Sequence, residues 1–189
     1  MNRLAVYCGS SPGADPAFAE AARALGVEMA RRRIGLVYGG GRLGLMGIVA
    51  DAVLDSGGEA YGVIPQALID LEVAHTGLTE LHVVTTMHER KAKMTDLCDA
   101  FVALPGGIGT LDELFEAWTW NALGYHAKPV ALLNIGGFWD NLVELMDHVM
   151  TSGFMSPARR AQLLVAGTVD EAIDTLDAAV GAAEARMVW

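Results

Sequence analysis

The sequence predicts an α/β fold: a Rossmann-like, doubly wound parallel sheet in a three-layer α/β/α sandwich. Three observations predict it. Short apolar runs alternate with helical patterns throughout, as parallel strands joined by right-handed crossover helices require. The strand-like runs are almost continuously apolar, as befits strands buried on both faces. Glycine-rich turns follow three of these runs, at 9–13, 39–44 and 106–109. In such a sheet all three lie at the carboxyl edge, where ligands bind.

Residues 4–8 read as the first strand, and 15–32 as a helix with Phe18, Ala22, Leu25 and Met29 on one face. Residues 34–38 form the second strand, and 45–55 the helix after its glycine turn. Gly57-Gly58 ends that helix, and strand 60–64 stops at Pro65. Residues 66–80 carry no clean period and read as a functional loop or short helices. Strand 81–84 leads into helix 87–98, which carries Arg90, Lys91 and Lys93. Strand 100–104 runs into Pro105, helix 111–123 ends at Gly124, and strand 130–134 follows. Three further helices are expected at 138–151, 157–164 and 169–180. One domain spans 1–180, with a weakly patterned tail at 181–189.

Composition limits the function. The chain is 52% hydrophobic and 19% charged, which suits a packed core. Its net charge of −10 argues against nucleic acid as a partner. A small anionic ligand would need local cations or backbone amides. Cys8 and Cys98 have no metal-motif spacing and read as buried thiols of a reducing cytoplasm. The N-terminus enters a strand directly, so no signal peptide is expected, and no apolar run is long enough to span a bilayer.

The most informative stretch is Leu104-Pro105-Gly106-Gly107-Ile108-Gly109-Thr110-Leu111-Asp112-Glu113. A strand, a glycine turn and a helix N-terminus in that order make an anion site from backbone amides and the helix dipole. Two carboxylates beside a phosphate cradle need another purpose, so Glu113 is expected to act on a different part of the ligand. The competing reading is a capping box, Thr110 with Glu113 three residues on. Gly39, Gly41 and Gly44 also match G-x-G-x-x-G, with Glu59 about 20 residues further on. Glu59 precedes its strand and so lies at the wrong edge for a dinucleotide ribose.

Pro105 to Glu113 resembles the P-G-G-x-G-T-x-x-E signature of the Lonely Guy family. Cys8-Gly9-Ser10-Ser11, Tyr38-Gly39-Gly40-Gly41 with Gly44-Leu45-Met46-Gly47, and Met87 to Met94 agree in order and spacing. Members are cytokinin-activating nucleoside 5′-monophosphate phosphoribohydrolases, often misdescribed as lysine decarboxylases. The resemblance implies hydrolysis of the N-glycosidic bond of cytokinin riboside 5′-monophosphates and AMP, giving free base and ribose 5-phosphate. It implies no metal or organic cofactor, and a homodimer or larger homo-oligomer. The alternative is a nucleotide- or molybdopterin-type carrier with the same fold and no catalysis.

On this resemblance Arg90 and Glu113 are catalytic. Substrate contacts fall to Glu72, Arg90, Lys91, Gly107, Ile108, Gly109, Thr110, Leu111, Asp112, Glu113 and Thr119. The strand-edge argument adds Ser10, Gly40 and Gly41, and helical spacing adds Glu116 beside Glu113. Glu116 is expected to reach the ribose hydroxyls or to orient Arg90. Asp112 also complements the helix dipole, and His88 reads as structural. Trp118 and Trp120 exceed what one buried helix face needs and suggest a subunit interface.

Overall fold

The computed structural model describes residues 1–72 and 74–187, without the side chains of 70–72 and 184–187. Seven parallel strands form one sheet: β1 (Arg3–Tyr7), β2 (Gly35–Tyr38), β3 (Ala60–Pro65), β4 (Glu80–Val84), β5 (Ala100–Ala103), β6 (Val130–Leu133) and β7 (Leu163–Ala166). Their spatial order is β4-β3-β2-β1-β5-β6-β7. The helices are α1 (Pro16–Arg31), α2 (Gly44–Asp55), α3 (Gln66–Glu72), α4 (Met87–Leu97), α5 (Ile108–Leu123), α6 (Asp140–Thr151), α7 (Pro157–Arg160) and α8 (Val169–Met187).

Alternation along the strands divides the core in two. Leu4, Val6, Leu36, Tyr38, Ala100 and Val102 pack against α1, α2 and α8. Ala5, Tyr7, Val37, Phe101 and Ala103 face α4, α5 and α6. The doubly wound sandwich follows because every central strand offers an apolar residue to each side. Strand order reverses between β1 and β5, which pair with Leu4 opposite Ala100. Beyond that pair the chain parts to either side, opening the crevice in which such sheets bind ligands. Among the described residues no helix is long and apolar enough to cross a membrane.

Residues 66–72 form a short helix, one of the two forms expected of that stretch. Three elements differ from the sequence reading. Residues 163–166 form the edge strand β7 on β6, where the end of a helix is expected. α8 continues through the expected tail to Met187, and Val188 and Trp189 lie outside the described residues. α5 begins at Ile108, nearly a turn before Leu111.

Candidate active site

The start of α5 decides the role open to Glu113. Gly107 is the N-cap and makes no side-chain capping bond. Leu111 N–H donates to the Gly107 carbonyl at 3.1 Å, so the amides before it have no acceptor within the helix. Thr110 is therefore inside the helix and buried, and the competing reading, a capping box with Thr110 as the cap, does not hold. Gly107, Ile108 and Gly109 are exposed, and a Cβ on Gly107 or Gly109 would meet nothing. Gly106 differs: a Cβ there would overlap the Thr110 side chain and stand 2.9 Å from Gly9 N. Gly106 is needed for packing, while Gly107 and Gly109 leave the cradle open. Gly9 N–H donates to the Pro105 carbonyl at 3.1 Å, tying the first glycine turn to this loop. Exposed Ser10 lines a cavity of about 310 Å³ shared with Gly106, Gly107, Phe18, Leu45 and Phe138.

A variant of the capping box sets the start of α4, with Thr86 as the N-cap and Glu89 reaching back one residue further, to Thr85. Thr86 Oγ1 accepts from Glu89 N–H at 3.1 Å, and Glu89 accepts from Thr85 N–H at 2.7 Å. Arg90 and Lys91 follow on this fixed turn. Among the described residues they are the buried charged side chains. Arg90 Nε donates to the Val63 carbonyl at 3.1 Å and Nη2 to the Gly39 carbonyl at 3.1 Å. Its Nη1 stands 3.7 Å from Glu113 Oε1. The guanidinium thus uses one carbonyl just past β2 and one within β3 to face the α5 carboxylate. Met87 sits at the rim with its sulfur 3.9 Å from Nη1, and Met46 is buried near Gly39.

Lys91 points elsewhere, as a neighbour about 100° around the helix must. Its ammonium donates to Asp112 Oδ2 at 3.1 Å and to Glu116 Oε2. Burial alone would lower the Lys91 pKa, but the bonds to Glu116 and Asp112 outweigh it and raise it. Glu116 accordingly pairs with Lys91 and does not orient Arg90. Its Oε1 is buried without a hydrogen-bond partner among the described residues. Asp112 is drawn into the same pair.

The structure separates other expected residues from this cluster. Gly40 and Gly41 are buried beneath the segment at 74–75, with His75 N–H donating to the Gly40 carbonyl at 2.9 Å and Ala74 bridging Gly41. The second turn therefore presents the Gly39 carbonyl to Arg90 instead of an open glycine cradle. That covering also removes the dinucleotide reading, as does Glu59, which accepts from the Tyr61 hydroxyl at the opposite edge. Thr119 is exposed on the outer face of α5, along a groove of about 610 Å³ with Ile108, Leu111, Asp112, Phe115, Glu116 and Trp120. Thr119 and Glu113 are six residues apart, which turns them to different sides of the helix. Trp118 is buried in the core, so only Trp120 of the pair faces that groove. His88 is exposed. The Glu72 side chain lies outside the described residues.

Cys8 borders Arg90 and Glu113 but offers no nucleophile. Burial, then the Glu113 charge, pushes its thiol far above the usual range. Cys98, also buried and free, is pushed up to about 12 by desolvation. Among the described residues no three His, Cys, Asp or Glu side chains converge as metal ligands.

Comparison with known proteins decides the family. A family model described as "Possible lysine decarboxylase" matches residues 46–176. A cytokinin riboside 5′-monophosphate phosphoribohydrolase from Rhodococcoides fascians is 47% identical over 171 residues, covering 90% of this chain and 86% of its own length. Another from Oryza sativa subsp. japonica is 46% identical over 189 residues, covering 100% and 78%. The chain belongs to the Lonely Guy family. The Lonely Guy fold extends to more distant structures: the Moco carrier protein of Chlamydomonas reinhardtii matches with a TM-score of 0.71 at 20% identity, covering 96% and 98% of the two chains. At that identity the likeness is one of fold alone.

Sequence reasoning missed the two carbonyls that hold Arg90 and one side-chain pair beside the second glycine turn. The Gly39 and Val63 carbonyls carry no sequence signal, since any residue has a carbonyl. His75 pairs with Asp51, 24 residues away, and the only hint was a histidine in an irregular segment.

Proposed function

We propose that this protein hydrolyses the N-glycosidic bond of nucleoside 5′-monophosphates, with cytokinin riboside 5′-monophosphates and AMP as substrates and free base and ribose 5-phosphate as products. The observation that carries the reading is the buried Arg90 guanidinium facing Glu113 at 3.7 Å beside an open helix N-terminus. The 5′-phosphate sits on the first-turn amides of α5, from Gly107 to Thr110, where the helix dipole favours an anion. The ribose then lies over Glu113, on the second turn. Bond breaking develops oxocarbenium-like positive charge on the sugar, and the carboxylate stabilises it. Arg90, 3.7 Å away, holds the Glu113 carboxylate in place. Glu113 also holds the attacking water and takes its proton as it adds to the sugar; the C–N bond breaks toward the base, and that same proton passes through solvent to the departing base nitrogen, which leaves Glu113 ionised again.

The 46–47% identical relatives, named as phosphoribohydrolases, support this chemistry. A carrier would need the phosphate cradle but not a carboxylate against an arginine. Lysine decarboxylase chemistry through an imine needs an amine of lowered pKa, whereas Lys91 is raised by two carboxylates. Lys91 serves the site by binding α4 to α5.

The protein acts as a homodimer in this proposal, with a second copy on the outer face of α5. Ile108 is 85% exposed there, and Leu123 lies on the same helix. Thr119 stands on this face, so its substrate role is served toward the partner's crevice. Two experiments test the reading. AMP and isopentenyladenosine 5′-monophosphate should release base on chromatography, with little release from the nucleosides. Light scattering should give twice the mass of one chain, and Leu123→Glu should halve it. No base release sinks the hydrolase, and a monomeric wild type sinks the assembly.

A further inference from the structure

The segment after α3 does more than connect it to β4. It lies over the second glycine turn and is fastened there in two ways. Ala74 bridges Gly41 in antiparallel fashion, with the His75 N–H donating to the Gly40 carbonyl at 2.9 Å as part of that bridge. The His75 ring then reaches α2, with Nε2 at 2.9 Å from Asp51 Oδ1. The ring is 8% exposed, whereas Asp51 is 62% exposed. Against a carboxylate acceptor, His75 Nε2 is the donor of this bond. A bond from a nearly buried ring to a solvated carboxylate does little for core packing. What it does is fix where the segment lies.

The turn beneath is the one that faces Arg90. The Gly39 carbonyl accepts from Arg90 Nη2 at 3.1 Å. A Cβ on Gly39 would collide with that guanidinium, and Gly40 has φ of +75°. A run of three glycines with its middle residue in the left-handed region has little conformational preference of its own. Its carbonyl direction depends on what is bonded across it. Burial and the Asp51 charge also raise the phenol of Tyr38, the residue just before the turn, which places Asp51 within electrostatic reach of the strand end.

We propose that His75 and Asp51 form a latch that holds the Gly39–Gly41 turn and so positions Arg90 opposite Glu113. His75 is then a positioning residue, acting through the turn and the Gly39 carbonyl on the guanidinium. The proposal rests on the hydrolase reading for its effect on turnover, but its effect on the turn is independent of substrate.

The test measures kcat and KM for AMP, thermal stability, and hydrogen exchange over residues 39–41. The variants are His75→Ala, Asp51→Ala, the double alanine variant and His75→Gln. Each single alanine variant should lose about tenfold in kcat, with KM within about twofold. The double variant should lose no more than the worse single one, because the two residues act as one unit. Exchange over 39–41 should quicken while the rest of the sheet stays protected. His75→Gln should recover most of kcat, since its amide nitrogen can donate at the reach of Nε2. Unchanged exchange and kcat in His75→Ala overturn the latch. So does a double variant whose loss is the product of the single losses, or a kcat loss that only follows the folded fraction. A wild type that releases no base, with exchange still quickened in His75→Ala, sinks the hydrolase reading and leaves the latch standing.

Discussion

Glu113→Gln isolates the charge of the central carboxylate with almost no change of shape. Glu113 Oε1 stands 3.7 Å from Arg90 Nη1, and both side chains are nearly buried. Opposite unit charges at that separation, at an effective dielectric of about 20, attract by about 4 kcal/mol. The positive charge developing on the ribose would lie at a similar distance on the other side of the carboxylate. A neutral amide forfeits most of that stabilisation. At 1.36 kcal/mol per factor of ten, kcat should fall about 10³-fold. Arg90 keeps its bonds to the Gly39 and Val63 carbonyls, so the fold should survive. Weakening a buried ion pair should still cost about 2 kcal/mol, a drop of roughly 4–8 °C in Tm at this chain length. Base release from AMP under saturating substrate gives kcat, and scanning calorimetry gives Tm. A folded variant with kcat within about tenfold of wild type would refute the electrostatic argument.

Four further perturbations address the glycine turn, the Lys91 brace and the half-buried His126. Gly109→Ala should raise Tm slightly, since alanine gains about 1 kcal/mol in a helix and its Cβ meets nothing; KM for AMP should nevertheless rise, as the methyl stands where the phosphate approaches. Gly106→Ala should lower Tm instead, because its Cβ overlaps Thr110. Lys91→Met leaves Asp112 and Glu116 without their cation and should cost about 3 kcal/mol, read as a lower urea midpoint. His126→Phe tests a pH effect: burial, then Lys128, lowers the His126 pKa to about 4. A folded pKa below the unfolded value of about 6.5 means that the unfolded chain takes up the proton first. His126 therefore costs the wild type stability as pH falls from about 6.5 to about 4. In the phenylalanine variant the fall in Tm between pH 7 and pH 5 should shrink, and an unaltered fall would refute the assignment.

The sequence made the central sheet legible because its strands are buried on both faces. Leu4, Val6, Leu36 and Phe101 could only be interior residues of a strand, and glycine turns marked three strand ends. The Arg90 and Glu113 pairing could be anticipated from the family resemblance, but not its geometry. Thr110-Leu111-Asp112-Glu113 misplaced the start of α5 because Gly107 and Thr110 are both acceptable caps; what settles it is the packing of Gly106 against Thr110, a contact no local pattern reveals. β7 was missed because Leu163 and Ala166 are buried while Val165 is exposed, and an edge strand of that length looks like the end of the preceding helical pattern. Glu116 was assigned to Arg90 or the ribose because both lay within reach of α5. Only the rotation of α4 hands it to Lys91.

The bond from Gly9 to Pro105 joins residues 96 positions apart. The cradle thus depends on a pairing that closes late, after the chain has built β2, β3 and β4 and crossed back to lay β5 on β1. Contacts of such long span slow folding, since the loop must close before the contact rewards it. During synthesis, Gly9 leaves the ribosome long before Pro105 does. A nascent chain therefore lacks the paired glycine turns through the first half of translation, and under the proposed function it would hold nucleotide only once its central sheet has closed.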